Sequence, residues 1–319
     1  MKLDADNEKR PPSAPTRLLV VGLGESLFDC FPDGERLGGA PLNGAVHAHA
    51  LLSRLVGGAM VATRVGRDRR GDEVRSMLAS RGIDTACVQS DPDRPTGTVR
   101  VTLDGDGHAS YVFTSDVAWD ALAMEGAWRS LAESCNAVCF GTLAQRSEPS
   151  RRAIGQFLSA CSGALRVFDV NLRQDFYSET VLRDSLVACT ACKMNEEELG
   201  VVCELLGIAG DAADDDERAE NVRSAFELAW LAVTRGERGV ALYRPDGKHE
   251  GTPVPLNPLP GADTVGAGDA CCAGLIVGSL LGWPAARVVA LANRLGSEVA
   301  SRPGATPELP EEVLALVDG

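Results

Sequence analysis

Gly261-Ala262-Asp263-Thr264-Val265-Gly266-Ala267-Gly268-Asp269 is the stretch that decides how this chain is read. Small residues run in a row, end on a carboxylate, and open directly into an apolar helical pattern over residues 267–281. Glycine and alanine let a ligand approach the main chain. The first N–H groups of the following helix lack intrahelical partners, so its mouth receives anions. Asp269 is then a negative charge where the backbone is arranged to receive negative charge. A carboxylate there makes chemical sense if it takes a proton while the amides hold a phosphate, which is what phosphoryl transfer to an alcohol requires. Taken alone, the run also reads as a glycine-rich turn whose Asp caps a helix.

Outward from that run, short apolar segments alternate with longer amphipathic ones. Residues 17–22, 60–65, 137–141, 167–170, 192–194 and 230–234 read as buried strands. Helical patterns occupy residues 40–55, 71–81, 148–160, 196–206 and 217–228, and residues 267–281 and 284–301 close the chain as two further helices. The alternation predicts an α/β fold with a Rossmann-like, mainly parallel sheet flanked by helices on both faces. A second pattern interrupts it. Residues 96–103 and 108–113 read as a hairpin about Asp104-Gly105-Asp106-Gly107. Residues 28–37 are likewise extended, so the strands at about 28–37 and 96–113 form a small β-sheet lid. The polar, Pro-rich residues 1–16 read as a disordered tail before a single domain over 17–319. The acidic run Asp214-Asp215-Asp216-Glu217 suits the start of a helix, against its dipole.

The 319 residues suffice for a large core, and 45% hydrophobic with 24% charged residues is ordinary for a soluble enzyme. A net charge of −14 disfavours nucleic acid or an anionic membrane as partner. No apolar run approaches the roughly 20 residues a membrane span needs, and no apolar leader is present. Ten cysteines suit a reducing cytoplasm, and the lone pair Cys189-x-x-Cys192 reads as two buried thiols. Gly22-x-Gly24 after the first strand invites a dinucleotide fingerprint, but the third glycine is replaced by Leu27.

Residues 263–269 resemble the D-T-x-G-A-G-D motif of the ribokinase-like (PfkB) carbohydrate kinases, and Gly38-Gly39-Ala40-Pro41-Leu42-Asn43 resembles their G-G-A-P-x-N motif. The likeness extends over residues 18–310. It implies Asp269 as the base and Gly266, Ala267 and Gly268 as the anion hole, with Asp29, Gly38, Gly39 and Asn43 on a sugar. Asp29 can accept hydrogen bonds from two neighbouring hydroxyls, and the Asn43 amide both donates and accepts. Asn195-Glu196-Glu197-Glu198 is similar to the family's N-x-x-E motif. Asn195 and Glu198 share a helix face, so both can address a hydrated Mg²⁺ beside ATP, Glu198 through water. Thr234-Arg235-Gly236-Glu237-Arg238-Gly239 matches T-x-G-x-x-G, a loop over the nucleotide phosphates in relatives and equally a turn between two strands. Asp169-Val170-Asn171-Leu172-Arg173 resembles a D-x-N-x-R element that would bring Arg173 to the substrate. Asn293 falls where relatives line the adenine. Asp263, with residues 299–305, falls where they hold a monovalent cation, K⁺.

The resemblance implies an ATP-dependent kinase that phosphorylates a primary hydroxyl of a small sugar. Residues 38–43, 140–147 and 169–173 look most like fructokinase segments, which points to fructose. Ribose, tagatose, a nucleoside, or 2-keto-3-deoxygluconate held by Arg100, Arg146 or Arg173 are the alternatives, as is a catalytically silent sugar-binding relative. Sugar and ATP are the expected partners, and the lid offers a surface for a homodimer.

Overall fold

The apolar runs become strands of one twisted sheet in the computed structural model, which describes residues 17–32, 34–103, 109–208 and 214–318. The strands are β1 (Leu18–Leu23), β2 (Leu27–Phe31), β3 (Gly34–Gly38), β4 (Gly57–Gly66), β5 (Val88–Asp91), β6 (Gly97–Leu103), β7 (Ala109–Phe113), β8 (Ala137–Phe140), β9 (Leu165–Asp169), β10 (Ala191–Asn195), β11 (Trp230–Thr234), β12 (Val240–Arg244) and β13 (Gly247–Glu250). Nine of them form the main sheet in the order β13-β12-β11-β10-β9-β8-β1-β4-β5, parallel from β11 to β5. The antiparallel edge hairpin β12–β13 was not anticipated, although Asp246-Gly247 at its turn is a recognisable signal. From β1 the chain steps to β4 and β5 on one side, then returns to β8 and continues the other way. That reversal opens a crevice at the carboxyl ends of β1 and β8, where open α/β sheets bind ligands.

The helices are α1 (Ala40–Leu52), α2 (Arg69–Ser80), α3 (Ala127–Ser134), α4 (Glu148–Ala160), α5 (Glu179–Ala188), α6 (Glu196–Leu206), α7 (Asp215–Ala225), α8 (Ala267–Leu280), α9 (Ala285–Ala300) and the short α10 (Glu311–Leu314). One face of the sheet packs Phe140 and Phe168 against Trp128 of α3, Phe157 of α4 and Leu199 of α6. The other packs Val20 and Val61 against Leu42 and Leu51 of α1, Ile276 of α8 and Leu295 of α9. Helix α7 begins two residues earlier than the periodicity implies, because the Asp214 side chain accepts from Asp216 N and puts three acids into the first turn. Helices α3 and α5 were missed. Both are short, and α5 is marked chiefly by its Ser178 cap.

The extended segments at 28–37 and 96–113 form a separate four-stranded sheet, β3-β2-β6-β7, with β2 and β6 parallel. Its D-G turn at 104–107, like the tail at 1–16, lies outside the described residues. Asp68 caps α2 through Gly71 N at 2.8 Å and also accepts from Thr96 N at 2.7 Å, so one carboxylate fixes both a helix start and the root of β6. The ten cysteines are free thiols, and Cys189 and Cys192 lie in the core. Among the described residues no helix is long and apolar enough to cross a membrane.

Candidate active site

Helix α8 starts at Gly266, whose φ of 78° lies in the left-handed region. A β-carbon there would fall 2.4 Å from the Ala305 carbonyl oxygen, so the turn tolerates only glycine. His47 of α1 donates from Nε2 to that same carbonyl at 2.9 Å, bracing the turn from behind. Asp269 stands one turn in, partly exposed. Asn43 of α1 donates from Nδ2 to Asp269 Oδ2 at 2.8 Å across 226 residues of sequence, while its own Oδ1 is buried without a partner. Burial raises the Asp269 carboxyl above the ordinary range, against the Asn43 hydrogen bond and the charges of Lys193 and Arg173.

Asp29, on β2 of the small sheet, shares the field of Arg173 with Asp269. Burial raises its carboxyl too, opposed by Arg173 and then Arg36. A β-carbon at Gly38 would lie 3.1 Å from Asp29 Oδ2, so that glycine leaves room for the carboxylate. Gly39 has a structural duty as well. At its φ of 117° a β-carbon would lie 2.5 Å from the Glu25 carbonyl oxygen, so the glycine seats α1 on the backbone after β1.

Glu25 was overlooked, although it stands at the crevice directly after β1. It is 3% exposed, Oε2 has no partner, and burial pushes its carboxyl up to about 7, with Asp269 adding to the rise. Arg173 follows Asn171, a left-handed residue at φ 42°. Arg173 is exposed, donates to the Leu172 carbonyl, and its charge reaches Asp29, Glu25 and Asp269. Arg146 is committed elsewhere: it pairs with Asp120 at 2.8 Å and lies over the Trp119 ring at 3.9 Å. Arg100 points from β6 as an exposed residue.

Beyond β9 the structure shows what holds the remaining expected site residues. Asn195 and Glu198 address each other: Asn195 Oδ1 accepts from Glu198 N, and Glu198 Oε2 from Asn195 N, each at 2.8 Å. This is a capping box, legible in N-x-x-E before an apolar run. Glu198 Oε1 also accepts from Leu172 N at 2.9 Å. The carboxylate, 6% exposed, retains lone pairs for a bridging water, so its setting fits magnesium held through water. Asn293 is held as well. Its Oδ1 accepts from Val240 N at 3.0 Å and its Nδ2 donates to the Thr252 carbonyl at 3.4 Å, so the amide pins β12 to the following loop and keeps one N–H to donate. A β-carbon at Gly239 would meet that amide at 2.8 Å. Thr234 ends β11, and Gly236 opens a one-turn helix leading to β12, so the loop is at once strand-end and interstrand turn. Asp263 accepts from Val265 N at 3.0 Å and Gly304 N at 3.2 Å, tying the glycine run to the loop after α9.

A model of the pfkB family carbohydrate kinases matches residues 25–312. A fructokinase of Klebsiella pneumoniae is 33% identical over 308 residues, covering 90% of this chain and 95% of that protein. A sugar kinase of Pyrococcus horikoshii, solved in complex with ATP, is 26% identical and superposes with a TM-score of 0.75 over 94% of this chain and all of its own, 100%. A Vibrio cholerae fructokinase variant, solved with fructose, ADP and a potassium ion, shares the fold at 22% identity, with a TM-score of 0.76 over 94% of this chain and 98% of that one.

Proposed function

The chain belongs to the pfkB family of carbohydrate kinases, and we propose that it transfers the γ-phosphoryl group of ATP to a primary hydroxyl of D-fructose. One observation carries the reading: the 2.8 Å hydrogen bond from Asn43 to Asp269 unites the two distant motifs at a single point. A sugar bound by Asn43 Oδ1 and Asp29 lies beside the carboxylate that must take its proton. Asp269, partly desolvated, accepts that proton as the bond to phosphorus forms. The amides of Gly266, Ala267 and Gly268 receive the charge that builds on the transferred group. Thr234, Gly236 and Gly239 border the nucleotide phosphates, and Arg173 neutralises charge between the two substrates.

Magnesium, when bound, would offset the charge of the triphosphate, and Glu198 with Asn195 would hold it through water. Asp263 and the loop at 299–305 would hold a potassium ion that orders the anion hole. The small sheet acts as a lid that excludes water, and exposed Tyr111 and Val112 on it offer a surface for a homodimer. Ten free cysteines support a reducing, cytoplasmic setting for the enzyme.

Fructose is favoured over 2-keto-3-deoxygluconate by the arginines. An acid sugar calls for a dedicated bidentate cation, yet Arg146 is spent on Asp120 and Arg173 alone of the three reaches the site. The test is kcat/KM across a sugar panel with ATP. Fructose should lead. A tenfold preference for the keto-acid, about 1.4 kcal/mol of discrimination, would overturn the choice of sugar.

A further inference from the structure

Lys193 is a lysine at a position where the sheet pattern calls for an apolar residue. Along β10, Ala191 packs toward α8 and α9 while Cys192 and Met194 pack toward the opposite helices. By alternation Lys193 faces α8. It is 7% exposed, and its cross-strand neighbour on β9 is Asp169, 3% exposed. The ammonium nitrogen lies 3.0 and 3.3 Å from the two Asp169 oxygens. A β-carbon added at Gly268 would come within 3.1 Å of that nitrogen, so the ammonium occupies space that glycine leaves open beneath the turn. A well-packed apolar pair would serve stability here at least as well, since desolvating two charges offsets their attraction. The pair therefore breaks a packing rule directly beside the reacting groups.

The charges around it define what it can do. Lys193 is faced by Asp169, by Glu198 of α6, and by Cys271 and Cys272 of α8. Asp269 is faced by Asn43, Lys193, Arg173, Glu25 and Asp169. Of the two cations near Asp269, Arg173 is exposed and screened by solvent, whereas Lys193 is buried and its charge is offset in part by Asp169 at 3.0 Å.

We propose that Lys193 is a positioning residue for phosphoryl transfer: its buried ammonium, anchored by Asp169, supports the anion-binding turn from behind and holds a positive charge beside Asp269. This rests on the reading of Asp269 as the base.

The two ends of the pair separate a charge role from a packing role. Breaking a merely structural pair from either end destroys the same contact. Lys193→Met instead removes the positive charge beside Asp269, so Asp269 titrates at higher pH. Asp169→Asn keeps the ammonium and removes its counter-charge, so Asp269 titrates at lower pH. The titration is read by carbon-13 NMR on the ligand-free protein, with the resonance identified by its absence in Asp269→Asn. In turnover, Lys193→Met should lower kcat at least about tenfold with both KM values within about threefold, and Asp169→Asn should lose less. If Lys193→Met does not fold, the uncharged double variant Lys193→Met with Asp169→Asn takes its place, and its Asp269 must titrate above that of Asp169→Asn alone. Shifts of the same sign from both ends, or none, overturn the proposal. Failure of the underlying reading looks different, because Asp269→Asn itself would then keep its turnover.

Discussion

Replacing Asn43 with alanine removes one hydrogen bond, and its consequences can be worked through. The bond runs from an amide to a carboxylate at 2.8 Å, a class whose net contribution is about 1.5–3 kcal/mol. Because it favours the anion, its loss raises the Asp269 carboxyl further. The base must be ionised to act, so activity falls as pH drops through that carboxyl. The acid limb of kcat therefore moves to higher pH, while loss of the Oδ1 contact raises the sugar KM at every pH. Stability behaves differently. The substitution also deletes the buried, unpartnered Oδ1, relieving a desolvation cost of about 1–3 kcal/mol. The two terms oppose each other, and Tm should change by no more than about 5 °C. The assay is ADP release from pH 5 to 9 with sugar varied at saturating ATP, beside a thermal melt. An unmoved acid limb, or a collapse of Tm with sugar KM unchanged, would refute this reasoning.

Gly266→Ala forces a left-handed alanine against the Ala305 carbonyl. It should cost about 10²-fold or more in kcat, while calorimetric sugar binding survives; a kcat near wild type would remove the anion hole from the account. Glu25 supplies a test by pH. Its folded carboxyl lies at about 7 against an ordinary 4.5, so the folded state holds a proton the unfolded chain has released. Stability drains away as pH rises between those values. Glu25→Gln should therefore be more stable than wild type at pH 8, with the difference gone below pH 4.5, as melts at both pH values will show. Potassium should raise turnover relative to tetramethylammonium; equal rates would dismiss the cation site.

Segments whose structure follows from local chemistry were legible. The strand Trp230–Thr234 and the helices Glu148–Ala160 and Glu196–Leu206 fall where apolar period and flanking polar residues agree. The glycine run is readable because only glycine takes the backbone shape that Gly266 needs. What stayed hidden depends on partners distant in sequence. Nothing in the residues around Asn293 reveals Val240 and Thr252, which its amide joins. Glu25 reads as a polar residue after a strand until α1 closes over it. Lys193 lies in a short apolar run whose alternation is plain only once Gly268 is known to sit above it.

The central claim is that Asp269 deprotonates a primary hydroxyl of fructose while the mouth of α8 holds the phosphoryl group. Its most direct test is phosphoryl transfer from ATP to D-fructose by the wild-type chain and by Asp269→Asn, with binding of both substrates measured by calorimetry. The account predicts a wild-type product bearing phosphate on a primary hydroxyl, and a loss of about 10²–10⁴-fold in kcat for the variant with both affinities preserved. Turnover of the variant close to wild type, or no transfer to fructose by the wild-type chain, would contradict it.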